Sequence, residues 1–506
     1  MVLVKQEGRV TMIENKFNLV EEPWIPVVGK GLVSLSSVFS DSSLTALGGN
    51  PIQKIALTKL LLAIAQTAYT PKDDEDWKNL GADGMAKKSL EYLKDKKDLF
   101  WLYGEKPFLQ MSGIKSAEEQ NLGVVSYYVA TGNTTVLTQS QAETFLSDAE
   151  KAMLLIQLMG FALGGKKTDN KIVLTAGYLG KFNAKGKAST GKFGPNIGFM
   201  GFLHSLLLGM SLQESIWINL LTKEDVIGIR IFSAGIGDAP WERMPSGEDC
   251  EIAQALKNSY MGRLLPISRF IYFTENGLHY SEGILHLGYN EGISDPSIAI
   301  NYHSKKPKAL WVDPEKRPWR QLTSLLAFLG SDKKEAFDCL QLRLLIPRVK
   351  NAIFSFGVWS GGLRVSSNAG EQYVSGSNDF VESEFYLNSK MMDRIWFAKL
   401  EKEMEELNQL SKIIYGITIS FYSDQKIDGK DFAAQASNLF WQLCERKFQG
   451  LINACNNTSE NDLVKMHYVF SSFANKAYDT YCPKETARQL DAWAANRPNL
   501  SKYLAM

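Results

Sequence analysis

An α+β fold, with a large, irregular mixed N-terminal domain over 1–380 and a C-terminal four-helix bundle over 381–506, is predicted from three observations. The chain has 506 residues and is 45% apolar, more than a single compact core accommodates, so at least two domains are expected. Through the first three quarters of the chain, short β-branched runs and apolar helical patterns alternate with Pro and Gly turns. From Val381 onward four long helical patterns follow in succession, 388–414, 431–455, 460–481 and 483–500. Their connections, such as DGK and NNTSE, are short and polar, which suits an up-and-down bundle.

The elements follow in order. FNLVEEPWIPVVGKGLVSLSSVF, over 17–39, mixes β-branched residues with Pro and Gly and predicts a strand-and-turn entry. Leu57, Leu60, Leu61, Ile64 and Ala68 recur at spacings of three and four, predicting a helix over 51–68. Apolar helices are expected over 150–163 and 199–221, bracketing the window discussed below. Between 233 and 380 the reading is mixed, with a Gly-rich turn at GIGDAPWE, strand-like RFIYFTE and NAIFSFGVW, a helix near 319–328 and a polar loop over 366–378.

Charge is concentrated in one place. Residues 164–194, GGKKTDNKIVLTAGYLGKFNAKGKASTGKFG, hold seven lysines, seven glycines, three aromatics and one acid, Asp169. The window alone carries +6 against +1 for the whole chain, so the remainder sums to −5. Glycines allow close backbone approach and lysines supply charges for phosphates, a combination that suits a nucleic-acid or nucleotide contact; a solvated surface insertion is the alternative. The near-neutral total argues against a protein that coats nucleic acid by itself, so other subunits are expected to share the work.

Enzyme signatures are missing from the sequence. Gly186 to Phe193, GKASTGKF, matches a P-loop except at its last place, where Phe193 replaces the magnesium-binding hydroxyl. A nucleotide-binding enzyme built on the Gly186 to Lys192 loop is one rival reading, and a protein-only scaffold is another. The five histidines show no H-E-x-x-H pairing and the five cysteines no C-x-x-C, so no metal or cofactor is expected. His279 and His286 are the one pair placed to meet across a hairpin. The N-terminus lacks a signal-peptide pattern and the apolar runs are broken by Lys59, His204 and Glu214, so a cytoplasmic chain without membrane contact is expected.

FNLVEEPWIPV at 17–27, GEKPFLQ at 104–110, GDAPWE at 237–242 and the Asp295–Pro296 pair, in this order and with this length, resemble the CasA family, the large subunit of the type I-E CRISPR Cascade surveillance complex. The resemblance covers essentially the whole chain. It implies a non-catalytic subunit that binds guide RNA and other Cascade subunits, reads the protospacer-adjacent motif of double-stranded target DNA from the minor groove, helps to open it, and recruits a helicase-nuclease.

The same resemblance implies where the reading elements lie. A glycine loop is expected over Asn183, Ala184, Lys185, Gly186 and Lys187, where a Cβ would collide with the sugar edges of a narrow groove. Lys166, Lys167, Lys181 and Lys192 are expected on the DNA backbone. A basic finger is expected in GRLLPISRFIYF, with Arg269 first and Arg263 second, since arginine complements the negative potential of the minor groove. A wedge is expected at the tip of the hairpin after GGLR, on Ser366, Ser367 and Asn368, where the best-known members carry glutamine and asparagine. The 131–141 loop, with Thr135 and Leu137, is expected on the 5′ handle of the guide RNA.

Overall fold

The helix Pro51–Ala68 begins where a capping box stops the chain from continuing extended. Asn50 Oδ1 accepts from the Gln53 amide at 3.0 Å and Gln53 Oε1 accepts from the Asn50 amide at 2.9 Å, with Pro51 at the first helical position. Most of its length is buried on every side, so it is a core element and not a surface helix. This computed structural model describes residues 3–6, 9–12, 14–127, 144–163, 201–291, 295–330, 337–368, 371–374, 379–456 and 461–505. Mixed helices and short antiparallel strands make the chain α+β.

Two compact units are present: Met1–Pro314 with Phe337–Ser383, and Glu315–Ala336 with Glu384–Met506. In the first, Asp148–Gly160 is a second buried helix, with its own capping box between Ser147 and Glu150. The indoles of Trp77 and Trp217 stack at 4.3 Å, and each ring N–H donates to the other's backbone carbonyl at 3.0 Å. This fastens the helices Asp74–Asp95 and Leu212–Ile218 together with both indole donors satisfied.

The expected helix over 199–221 is corrected by the structure. His204–Leu208 is a strand paired antiparallel with Ser355–Leu363, and only Leu212–Ile218 is helical. The apolar run is buried on both faces in the strand, so its periodicity does not separate helix from strand. The break falls at Gly209, where a Cβ would meet the Glu214 side chain, and at Ser211, whose side chain accepts from the Glu214 amide and caps the following helix.

A buried polar cluster joins this strand to the central helix. Lys59, 2% exposed, donates to Asp295 and to the Arg263 carbonyl at 3.0 Å. His204 Nδ1–H donates to Ser297 Oγ at 2.8 Å, and that hydroxyl donates to Asp295 Oδ1 at 2.7 Å. Burial by itself raises the Asp295 carboxyl, but the Lys59 ammonium, the nearby His204 and the Ser297 bond outweigh it and hold the group down to about 2.

Arg263 Nη1 donates to His286 Nδ1 at 2.6 Å, and His286 Nε2–H donates to the Pro266 carbonyl at 2.8 Å. Burial, then the neighbouring guanidinium, pushes His286 from 6.5 down to about 3. Between those values the unfolded chain holds more protons than the folded one. The stability His286 confers is therefore complete above pH 6.5 and lost as pH falls towards 3. Urea unfolding at pH 7.5 and 5.0 is expected to show a loss of about 2 kcal/mol from this residue. His286→Gln, which keeps an acceptor and a donor but does not titrate, flattens the difference; an unchanged difference in that variant contradicts the assignment.

Among the described residues of the second unit the α-helices are Leu322–Leu325, Arg394–Asp424, Lys430–Glu445, Phe448–Asn456, Asn461–Tyr481, Ala487–Ala495 and Ser501–Leu504. The stretch read as one helix over 431–455 is divided at 446–447. The turn brings Phe448 to 4.6 Å from Trp319 and 6.0 Å from Phe385. Phe421, Tyr422, Tyr478, Cys482 and Ala492 form a core cluster, with the Tyr422 and Tyr478 hydroxyls donating to the carbonyls of Tyr481 and Trp493. His467 Nε2 and Glu403 Oε2 form a buried pair at 2.8 Å. Among the described residues no helix is long and apolar enough to cross a membrane.

Candidate nucleic-acid interface

Three segments singled out in the sequence have their ends gathered in one region of the first unit. Tyr127 precedes the 128–143 stretch, Phe161 lies just before the 164–200 stretch, and Phe380 follows the hairpin. Tyr127 is edge-on to Phe161 at 5.5 Å and to Phe380 at 6.0 Å. Its hydroxyl accepts from Asn50 Nδ2 at 3.0 Å, tying the three ends to the cap of the central helix. A T-shaped aromatic cluster of this kind fixes ring positions more sharply than aliphatic packing does.

Gly201, the first described residue after the 164–200 stretch, meets the start of the hairpin directly. Gly201 has φ +81°, and a Cβ there would lie 2.8 Å from the Leu363 carbonyl oxygen and 2.9 Å from the Val365 amide. Both its left-handed conformation and the close approach require glycine. Its carbonyl accepts from the Val312 amide at 2.8 Å. Three chain segments therefore meet at Gly201: the chain re-entering the described structure after 200, the start of the hairpin, and the stretch that leads from Lys308–Ala309 to Val312.

Ser366, Ser367 and Asn368 are not the tip of that hairpin. They form its outgoing strand, paired with Glu371–Tyr373 in the register Ser366↔Tyr373, Ser367↔Gln372 and Asn368↔Glu371. The tip falls at 369–370, outside the described residues. Within the polar run 366–378 read as a loop, Ser366–Asn368 and Glu371–Tyr373 are therefore paired strands.

Arg269 and Arg263 are corrected outright as groove-reading residues. Arg269 is 0% exposed and Arg263 is 1% exposed. Arg269 Nε donates to the Tyr280 hydroxyl and Nη2 to the Leu163 carbonyl, both at 2.6 Å, and its guanidinium lies 5.3 Å from the Tyr280 ring. Arg263 is held by His286 and by the Lys257 carbonyl at 3.3 Å. A buried guanidinium with its donors directed at interior acceptors is not available to DNA. Arg269 is instead a positioning residue, fixing the point where the 164–200 stretch begins.

The expected glycine loop, Asn183, Ala184, Lys185, Gly186 and Lys187, lies outside the described residues. So do Lys166, Lys167, Lys181 and Lys192, and so do Thr135 and Leu137. His279 and His286 are not brought together: His279 Nδ1 faces the Ala117 carbonyl at 2.9 Å while His286 faces Arg263. Among the described residues no group of three or more His, Cys, Asp or Glu is placed to hold a metal ion.

Sequence reasoning missed two exposed features of the first unit, one of them beside Gly201. Arg364, exposed, follows the long strand, and its Cα lies 3.5 Å from the point a Gly201 Cβ would occupy. The turn after Ala299–Asn301 presents Tyr302, Lys305, Lys306 and Lys308. Their signal in the sequence is YHSKKPK, three lysines in seven residues without an acid.

Comparison with known proteins agrees with this architecture. The sequence model of the CRISPR-associated protein Cse1 family matches residues 18–499. The chain is 25% identical over 340 residues to the CRISPR-associated protein CasA/Cse1 of Thermus thermophilus, an alignment covering 62% of this chain and 61% of that relative. Thermobifida fusca Cse1 has a similar fold, with a TM-score of 0.75 at 18% identity over 97% of this chain and 98% of that one. Cse1 from Acidimicrobium ferrooxidans gives 0.68 at 19% identity over 97% and 98%. A chain of a CRISPR RNA-guided surveillance complex gives 0.63 at 14% identity over 96% and 99%. With its family signature spanning 18–499 and its fold shared along nearly its full length, the chain belongs to the CRISPR-associated protein Cse1 family.

Proposed function

We propose that this chain is the non-catalytic large subunit of a CRISPR RNA-guided surveillance complex of the Cascade type. In that role it reads the protospacer-adjacent motif of duplex DNA from the minor groove, helps to open the duplex, and recruits a helicase-nuclease. The observation that carries this reading is the gathering of the described residues that bound the 128–143, 164–200 and 366–378 segments, namely Tyr127, Phe161, Gly201 and Phe380. Elements that must act on one short stretch of duplex need a common, rigid base, and this cluster supplies one. The division into a target-reading part over 1–380 and a four-helix bundle over 381–506 belongs to the same proposal.

The mechanism needs no covalent step from this chain. Lys166, Lys167, Lys181 and Lys192 neutralise phosphates, and the 183–187 loop approaches the groove through Gly186. The hairpin tip beyond Asn368 enters the first base-pair step, and Thr135 and Leu137 meet the guide RNA. Because a hybrid is about as stable as the duplex it replaces, modest protein contacts tip the exchange. A complex assembled without this chain is expected to keep its guide RNA and lose duplex recognition in a mobility-shift assay; equal duplex binding with and without it contradicts the reading. ATP turnover abolished by Lys192→Ala would favour a nucleotide enzyme instead.

A further inference from the structure

The stretch 237–251, GDAPWERMPSGEDCE, holds five carboxylates and one arginine in a chain whose total charge is +1. Its opening motif is fixed from below. Trp241 is buried against Phe100 and Phe108, and its ring N–H donates to the Tyr92 hydroxyl at 2.7 Å. That hydroxyl donates in turn to Glu242 Oε1 at 2.7 Å. The Tyr260 and Met261 amides donate to the Gly235 and Ile236 carbonyls at 3.0 and 2.8 Å, which seats the loop against the chain leaving the helix Glu251–Lys257.

A cavity of about 50 Å³ lies between this loop and that helix. Ile252, Ala255 and Leu256, three and four residues apart on one helix face, form its apolar wall, and Asp238, Arg243 and Glu251 complete the lining. Ala255 is exposed and Ile252 half-buried, so the wall is reached from solvent. Its volume suits about four water-sized groups, the size of a branched aliphatic side chain.

The charges around the cavity are unbalanced. Lys257 Nζ donates to Glu248 Oε1 at 2.6 Å and lies 3.8 Å from Asp249 Oδ1, so one ammonium serves two carboxylates. Glu248 is 2% exposed, and its Oε2 is buried without a hydrogen-bond partner. Burial, and then Asp249, raise its carboxyl above the usual range in spite of Lys257. Asp238, Glu242, Asp249 and Glu251 are exposed, with Arg243 paired to Asp238 at 3.1 Å. Among the described residues these carboxylates are not grouped as metal ligands.

An apolar wall bordered by carboxylates selects the opposite arrangement in a partner, an aliphatic side chain set between cations. Nucleic acid and anionic lipid are repelled by the same charges. We infer that the cavity between the 238–243 loop and the helix Glu251–Lys257 is a docking site for a basic segment of a partner protein. A leucine-sized side chain enters against Ile252, Ala255 and Leu256, and flanking lysines or arginines meet Asp238, Glu242, Asp249 and Glu251. The inference goes beyond the proposed function and does not rest on it, because neither motif reading nor duplex opening uses this face.

The test uses the full chain and a fluorescein-labelled pentapeptide, Lys-Arg-Leu-Arg-Lys, beside its counterpart with serine in place of leucine, with anisotropy followed against KCl concentration. The chain is expected to bind the leucine peptide about tenfold or more tightly, because burial of the isobutyl group adds to the charge attraction. Both complexes weaken as KCl rises. Ala255→Trp, which fills the cavity from an exposed position, is expected to bring the leucine peptide down to the level of the serine peptide and to leave the latter unchanged. Replacing Asp238 by Asn together with Glu251 by Gln weakens both peptides by about fivefold and flattens their salt dependence.

Equal affinity for the two peptides in the wild-type chain overturns the inference, because it indicates charge attraction alone, and that comparison depends on no variant folding. Displacement of the labelled leucine peptide by spermidine as effectively as by the unlabelled peptide overturns it in favour of a small polycation. A leucine preference that survives Ala255→Trp, in a variant that melts with the wild type, puts the apolar contact elsewhere and overturns it as well.

Discussion

Replacing Lys59 by Met is expected to destabilise the protein by about 3–5 kcal/mol, because it leaves the Asp295 carboxylate buried without its cation. Asp295 is 3% exposed, and in the native protein it is chiefly Lys59 that holds its carboxyl down against burial, so in the variant only His204 and Ser297 remain to offset burial. The methylene stem of Lys59 is retained in Met, which separates charge from packing. Adding Asp295→Asn to Lys59→Met is expected to recover more than half of the loss in urea unfolding, the signature of two residues that act as a pair. A loss below about 1 kcal/mol in the single variant contradicts the account of this core.

This pair matters to the interface because of what it joins. Lys59 belongs to the helix whose cap holds Tyr127, and Asp295 is linked through Ser297 to His204, on the strand that follows Gly201. Weakening it loosens two of the elements that gather the three segments.

Charge removal in the basic window has the second large effect. Substituting Ala at Lys185, Lys187 and Lys192 deletes three cations, and each phosphate contact contributes about 0.9 to the logarithmic salt slope on duplex DNA. The slope of the assembled complex is therefore expected to fall by about 2.7, and affinity near physiological salt by on the order of a hundredfold. Guide RNA content is expected to stay constant. Unchanged affinity and slope contradict a duplex-anchoring role for this window.

Much of the fold was legible wherever local chemistry alone decides the element. Asn50, Pro51 and Gln53 announce the central helix, and the three- and four-residue spacing through Ala68 sets its length. RFIYFTE and NAIFSFGVW contain the strand Arg269–Phe273 and the start of Ser355–Leu363. The strand His204–Leu208 was hidden in an apolar run because its identity depends on a partner about 150 residues away. The turn at 446–447 carries neither Gly nor Pro; it is set by where Phe448 packs.

The candidate interface was legible as segments and not as an assembly. The lysines and glycines of 164–194 mark themselves by composition, and the family resemblance orders them along the chain. Arg263 and Arg269 were misread because sequence shows a cation but not its burial. Only the fold reveals that Tyr280, Leu163 and His286 surround them. Arg364 was passed over for the opposite reason: its place beside Gly201 is concealed by sequence separation.

The most direct test of the central claim is a mobility shift of the assembled complex on target duplexes whose flanking motif is randomised, followed by sequencing of the retained DNA. The account predicts enrichment of a restricted set of motifs by the complete complex, and loss of that enrichment when Gly186 is replaced by Val. Uniform recovery of every motif by the complete complex would contradict it.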